Sequence, residues 1–389
     1  MGPLGQQKSR HYDLDWIKVL AMLIVFLYHC SMFFNSFQWH VKNNEINRTY
    51  IELFSLAVGN WIMPVFFAIS GISTYYALKK RHSGAFMKER AARLGIPLLL
   101  GIFVLSPPQV YIERVTGDQF EGSFFQFFPH YFDGLYLEMG GAGNFAFFGH
   151  HLWYLLMLLI FSALTLPFFL NERQRLRIRN GSFATSHYLF LPLPLTGAAF
   201  WTNNILNLAS WGIVFYLLIY IYGYYFFARE SFRIFARNNG RLTGTISIVS
   251  LAAYVLWTVL ISFPMYGTAA FYIFTILRVL LVWNTLLFVF FLGDKYLNFT
   301  NRTLNYANEA SMPFYILHQP FIIILGFMIV QVNWIVPFKF IFLAAVSFAV
   351  IMALYHVIIQ RFNILRIAFG LRKQQKPPSL QKTKGGIAL

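Results

Sequence analysis

LDWIKVLAMLIVFLYHCSMFF, residues Leu14 to Phe34, is long and apolar enough to cross a bilayer, yet it holds Lys18 near one end and His29 well inside. A hydrocarbon core about 30 Å thick asks a helix for about 20 apolar residues. Runs of that kind recur along nearly the whole 389-residue chain, of which 58% is hydrophobic and only 12% charged. Together with a mean hydropathy of +0.56, this excludes a soluble globular protein. Backbone N–H and C=O groups inside lipid must be bonded within the protein, so apolar runs of this length read as helices. The expected fold is an all-α polytopic transmembrane helix bundle. Leu14–Phe34 is read as its first span and not as a cleaved signal peptide, because it keeps a lysine and a histidine and lacks a small-residue cleavage pattern.

About ten spans are expected, near 15–36, 57–78, 94–112, 151–170, 186–201, 205–228, 242–262, 268–292, 310–331 and 334–360, the fifth interrupted by Pro192 and Pro194. The formal charge of +17 falls between spans, which is the pattern of a topology signal and not of a nucleic-acid-binding surface. Every second connection is basic: Lys8 and Arg10, then Lys79, Lys80, Arg81, Lys88 and Arg90, then Arg173 to Arg179, then Arg229, Arg233, Arg237 and Arg241, then Lys295 and Arg302. The alternate connections are neutral or acidic, with Glu113, Asp118, Glu121, Asp133 and Glu138 in the longest. Both termini are therefore expected in the cytoplasm, with a cytoplasmic tail at 1–12, a transmembrane domain at 13–361 and a basic, disordered tail at 362–389. The outer connection from Ile112 to His150 is strongly aromatic and reads as a segment lying in the interface or dipping into the protein.

Lys18 and His29 are separated by three helical turns plus about 20°, which puts them on one face about 16 Å apart. An ionisable group deep in a span faces a cavity or a partner, which favours a functional His29, whereas Lys18 alone is equally a snorkelling anchor. Cys30, the sole cysteine, points about 100° away and reads as an inert packing thiol. In FMKERAARLG, Arg90 and Arg93 share a face at the cytoplasmic start of span three. They form either a fork for phosphates or a topology signal alone. Span two supplies Ser70 among residues read mainly as close helix packing. Span four opens with His150, His151 and Trp153, whose spacing does not make a helical metal site, and no metal is expected. In span nine Ser311, Tyr315 and His318 fall on one polar stripe.

These pieces resemble the acyltransferase 3 family of membrane acyltransferases, in its glucan biosynthesis protein C-like branch. The likeness spans about Asp13 to Arg361 and is carried by LDWIKVLAMLIVFLYH, MPVFFAISG, RAAR, HLWYL and SMPFYILHQP in order. It implies an enzyme that moves an acyl group, commonly acetyl, from cytoplasmic acyl-CoA to a hydroxyl of an envelope carbohydrate or related acceptor, in the cytoplasmic (inner) membrane. By the same likeness His29 matches the catalytic histidine, and Arg90 and Arg93 match acyl-CoA contacts. Two departures stand out: Lys18 replaces the family's arginine, and WYLLML in span four lacks the carboxylate that many members carry there.

The expected mechanism places acyl-CoA, as donor substrate and not as a bound cofactor, among Lys18, Arg90 and Arg93, with its arm running toward His29. His29 is then a general base or an acyl carrier, and Ser70, His151, Trp153, Ser311, Tyr315 and His318 line the path or stabilise charge. The competing reading is a proton-coupled secondary transporter using His29 and His318.

Overall fold

A computed structural model describes residues 11–176, 183–203 and 207–374, the side chains of 172–176 aside. The chain is a bundle of helices, eight of which, among the described residues, are long and apolar enough to cross a membrane. In chain order they are α1 (Tyr12–Ser31), α2 (Tyr50–Lys80), α3 (Ser83–Thr116), α4 (Trp153–Leu176), then α8 (Glu230–Leu260), α9 (Ala269–Tyr296), α10 (Arg302–Ile329) and α11 (Val336–Ile359). Between α4 and α8 lie three shorter helices, α5 (Thr185–Phe190), α6 (Pro192–Trp201) and α7 (Ile213–Phe227). A last short helix, α12 (Asn363–Ala368), follows α11.

The fifth expected span is thus a broken pair, because Pro192 and Pro194 cannot donate to the preceding turn. The sixth starts late because a two-residue hairpin, β1 (Asn207–Leu208) with β2 (Trp211–Gly212), precedes it. Helix α8 begins twelve residues before the expected span, at Glu230. The arginines read as a connection lie on its first turns: Arg233 pairs with Asp13 of α1 at 3.1 Å and Asp294 of α9 at 2.7 Å, and Arg237 also reaches Asp294 at 2.7 Å.

The tail at 362–389 needs the same correction at its start. Helix α12 folds back on the bundle, and Arg366 is buried in an ion pair with Glu309 of α10 at 2.7 Å. Residues 375–389 of that tail, residues 1–10 with Lys8 and Arg10, and Arg177 with Arg179 lie outside the described residues.

Helix α1 sits centrally, packed against α2, α9, α10 and α11. It buries Ile17, Ala21, Met22, Val25, Phe26 and Cys30 around much of its circumference, as a helix must when neighbours surround it. Helices α2 and α7 meet backbone to backbone. A Cβ at Gly71 would lie 2.1 Å from the Tyr220 carbonyl oxygen, and one at Gly223 would lie 2.4 Å from that of Ala68. Small residues allow this approach in the absence of a hydrophobic drive between lipid-embedded helices. Gly71→Val is expected to destabilise the bundle by about 3 kcal/mol, at the upper end of overpacking costs, because the obstructing atoms are backbone. A lowered midpoint of thermal aggregation in detergent checks this.

Candidate functional site

Two cavities open from opposite ends of the bundle. The first, about 810 Å³, lies at the arginine-rich end and is lined by Lys18, Met22 and Val25 of α1, Ser70 and Ser73 of α2, Arg90 and Arg93 of α3, Tyr154 of α4, and Asn308, Ser311 and Tyr315 of α10. Arg366 and Arg372, from the segment after α11, complete its basic wall. The second, about 610 Å³, lies at the loop end and is lined by His29, Trp39, His40, Tyr136, His150, His151, Trp153, Arg278 and Gln319, among others.

Each sequence-derived candidate has a definite place in this arrangement. Lys18 hydrogen-bonds the Asn308 side-chain oxygen. Arg90 donates from Nη2 to Thr74 Oγ1 at 2.7 Å, and Arg93 donates from Nε to the Gly370 carbonyl at 3.1 Å, with Glu89 at 3.7 Å. The Arg90–Arg93 pair therefore shares one cavity with Lys18, although each guanidinium already spends one face on the protein. Ser70 hydrogen-bonds Tyr154 at 2.6 Å. Ser311 donates to the carbonyl of Asn308 in its own helix. The polar stripe Ser311–Tyr315–His318 divides: Ser311 and Tyr315 line the first cavity, whereas His318 is fully buried behind His29. Trp153 and His151 line the second cavity.

The partition between the cavities is thin at Tyr315, whose hydroxyl donates to the carbonyl of His151 at 2.5 Å. Here the chain fixes its own proton positions. His318 Nδ1 lies 2.6 Å from the carbonyl of Tyr315, so it must donate. A neutral His318 then offers a lone pair at Nε2, which lies 2.8 Å from His29 Nδ1. His29 donates there, and its own lone pair is left at Nε2, with no hydrogen bond to the described residues. Trp39 stacks on the His29 ring at 5.3 Å and 21° and holds its plane.

Pro320 contributes through what it lacks. Without an N–H it leaves the Ile316 carbonyl unbonded in the helix ladder. That carbonyl and Tyr315's both accept from His151 Nε2 at 3.1 Å, and the lone pair at His151 Nδ1 stays buried and unpartnered.

Sequence reasoning missed a buried carboxylate beside the second cavity. Glu113, near the loop end of α3, is buried and pairs with His40 Nδ1. It also accepts from the Tyr136 hydroxyl and the Gly140 N–H, both at 2.8 Å. Burial and this carboxylate push the Tyr136 hydroxyl well above its usual pKa, so it stays a donor. His40 turns its Nε2 toward Gln319 at 3.4 Å, and Gln319 donates to Gln109 at 3.1 Å. The only signal of Glu113 in the sequence is an acid followed directly by Arg114 at the start of the acidic connection.

A family model described as an acyltransferase domain, acyltransferase 3, matches residues 11–356 of this chain. Similar proteins include those named glucans biosynthesis protein C from Escherichia coli O139:H28 and from Shigella dysenteriae serotype 1. Each is 26% identical over 359 residues, covering 86% of this chain and 88% of the relative. No solved structure matches. The chain belongs to the acyltransferase 3 family.

Proposed function

We propose that this membrane acyltransferase carries an acyl group from acyl-CoA in the arginine-lined cavity to a hydroxyl of a carbohydrate acceptor in the loop-end cavity, with His29 as general base. One observation carries the reading: the hydrogen-bond chain Tyr315 carbonyl–His318–His29 leaves the His29 Nε2 lone pair without a hydrogen-bond partner among the described residues, at the thin partition between two cavities. In the step we assign, His29 Nε2 takes the acceptor hydroxyl proton as the oxygen attacks the thioester carbonyl. The C–S bond then breaks, and the CoA thiolate leaves with that proton. His318 touches neither cavity and is a positioning residue, holding the tautomer and spreading the positive charge that forms on His29. The relatives' names support a glucan-like acceptor, and the basic-end and acidic-end asymmetry supports a cytoplasmic (inner) membrane with the donor on the cytoplasmic side.

The test is purified protein in lipid given radiolabelled acetyl-CoA with and without an oligosaccharide. CoA release with label on the sugar is expected. Label that stays on the protein when the acceptor is omitted would make His29 an acyl carrier, and absence of any CoA binding would favour the transporter. In the same preparation, Arg90→Ala with Arg93→Ala is expected to weaken acyl-CoA binding by about 10- to 100-fold, the worth of one or two charge-assisted contacts. An unchanged dissociation constant would return both arginines to topology.

A further inference from the structure

Arg278 lies within α9, nine residues past its first residue, and lines the same cavity as His29. Charged side chains in spans are rare, face cavities or partners, and mark ligand paths. Arg278 is gripped by neutral groups. Nε donates to Asn60 Oδ1 at 2.8 Å, Nη2 donates to the Ser210 carbonyl at 2.7 Å, and the guanidinium lies 4.3 Å over the Trp211 ring. Trp211 is itself stacked on Phe215 at 4.1 Å, so the plane of the guanidinium is fixed from beneath.

The buried arginines Arg114 and Arg366 and the half-buried Arg233 face carboxylates: Arg114 has Glu113, Arg366 has Glu309, and Arg233 has Asp13 and Asp294. Among the described residues none comes within ion-pair distance of Arg278, and its Nη1 group has no hydrogen-bond partner. An arginine held rigidly in a cavity wall, with its charge uncompensated and one N–H₂ edge unspent, is an unfilled half of an ion pair.

We propose that Arg278 is an anion subsite of the loop-end cavity, and that the ligand handled there carries a carboxylate or phosphate. That anion belongs either to the distal end of the transferred acyl group or to the acceptor. Asn60 and the Trp211 face orient the guanidinium so that Nη1 meets the anion, and the hydroxyl or carbonyl that reacts lies at His29. Its role in turnover rests on the acyl-transfer reading, whereas anion binding does not.

Two measurements on the full chain in nanodiscs test it. Inorganic phosphate is titrated into the Arg90→Ala, Arg93→Ala protein, which weakens the basic cavity, with and without Arg278→Gln or Arg278→Lys. Saturable binding that Arg278→Gln removes and Arg278→Lys retains is expected, and equal binding with and without Arg278→Gln would overturn the subsite. In the second measurement, acetyl-CoA is compared with succinyl-CoA and glutaryl-CoA on a neutral oligosaccharide, and acetyl-CoA is compared on neutral and phosphorylated oligosaccharides. Arg278→Gln is expected to lower the charged-to-neutral ratio of kcat/KM by about 10- to 100-fold in one of these two comparisons. A fall with the dicarboxylic donors places the anion on the acyl chain, and a fall with the phosphorylated sugar places it on the acceptor. An unchanged ratio, with activity lost on all substrates alike, would make Arg278 a structural lock between α2, β2 and α9. Failure of the wild type to transfer any acyl group would defeat the acyl-transfer reading while the phosphate titration still decides the subsite.

Discussion

His29→Ala is expected to lower the rate of acyl transfer by about 10²- to 10⁴-fold, the range over which a positioned general base contributes, with little change in acyl-CoA binding. The separation of effects follows from the geometry. His29 lines the loop-end cavity, whereas Lys18, Arg90 and Arg93 line the other. Loss of the imidazole removes the proton acceptor and leaves the cationic wall intact. His318→Ala is the companion test. His318 lines neither cavity, yet its loss removes the acceptor for His29 Nδ1–H and frees the ring to rotate or change tautomer. A fall in kcat without a rise in KM is expected. An unchanged kcat would show that the His29–His318 contact serves packing alone.

Glu113→Ala is expected to destabilise the loop end by about 3–5 kcal/mol, the cost of removing one partner from a buried charge pair. The carboxylate gathers groups from three separate stretches: His40 after α1, Tyr136 and Gly140 in the long connection, and Arg114 beside it. Without it His40, Tyr136 and the Gly140 N–H lose a shared acceptor, and Arg114 is left with the Asn144 and Gln119 side chains and the Gly143 carbonyl. Faster proteolysis within 117–149, together with a lower unfolding temperature, is the expected signature. Glu113→Gln keeps an acceptor for Tyr136 and should lose less. Equal stability of Glu113→Ala and wild type would show that the connection docks through its aromatic residues instead.

The long spans were legible because a membrane imposes one strong rule, a run of about 20 apolar residues, and α1, α9 and α10 obey it. Their ends were less so. Helix α8 continues into an arginine-rich stretch because Arg233 finds Asp13 and Asp294 across the bundle, and no local pattern announces partners so far away in the chain. The same reason hid Arg366 in what read as a tail. At the site, the common face of Lys18 and His29 was a matter of helical period and could be read directly. The His29–His318 contact joins residues 289 apart, and His40 and Glu113 are 73 apart, so each pairing exists only once the helices pack. Lys18, in the place of a family arginine, offers a single ammonium to Asn308 and the cavity where a guanidinium would offer a fork.

In the proposed reaction the acyl group enters from one cavity and leaves from the other at His29. Proteoliposomes with the protein in a single orientation test it most directly, with radiolabelled acetyl-CoA confined to the side of the arginine-lined cavity and oligosaccharide confined to the opposite side. Label is expected on the sugar across the membrane with wild-type protein and to be lost with His29→Ala. Label appearing only on acceptor supplied on the same side as the CoA, or crossing undiminished in His29→Ala, would contradict it.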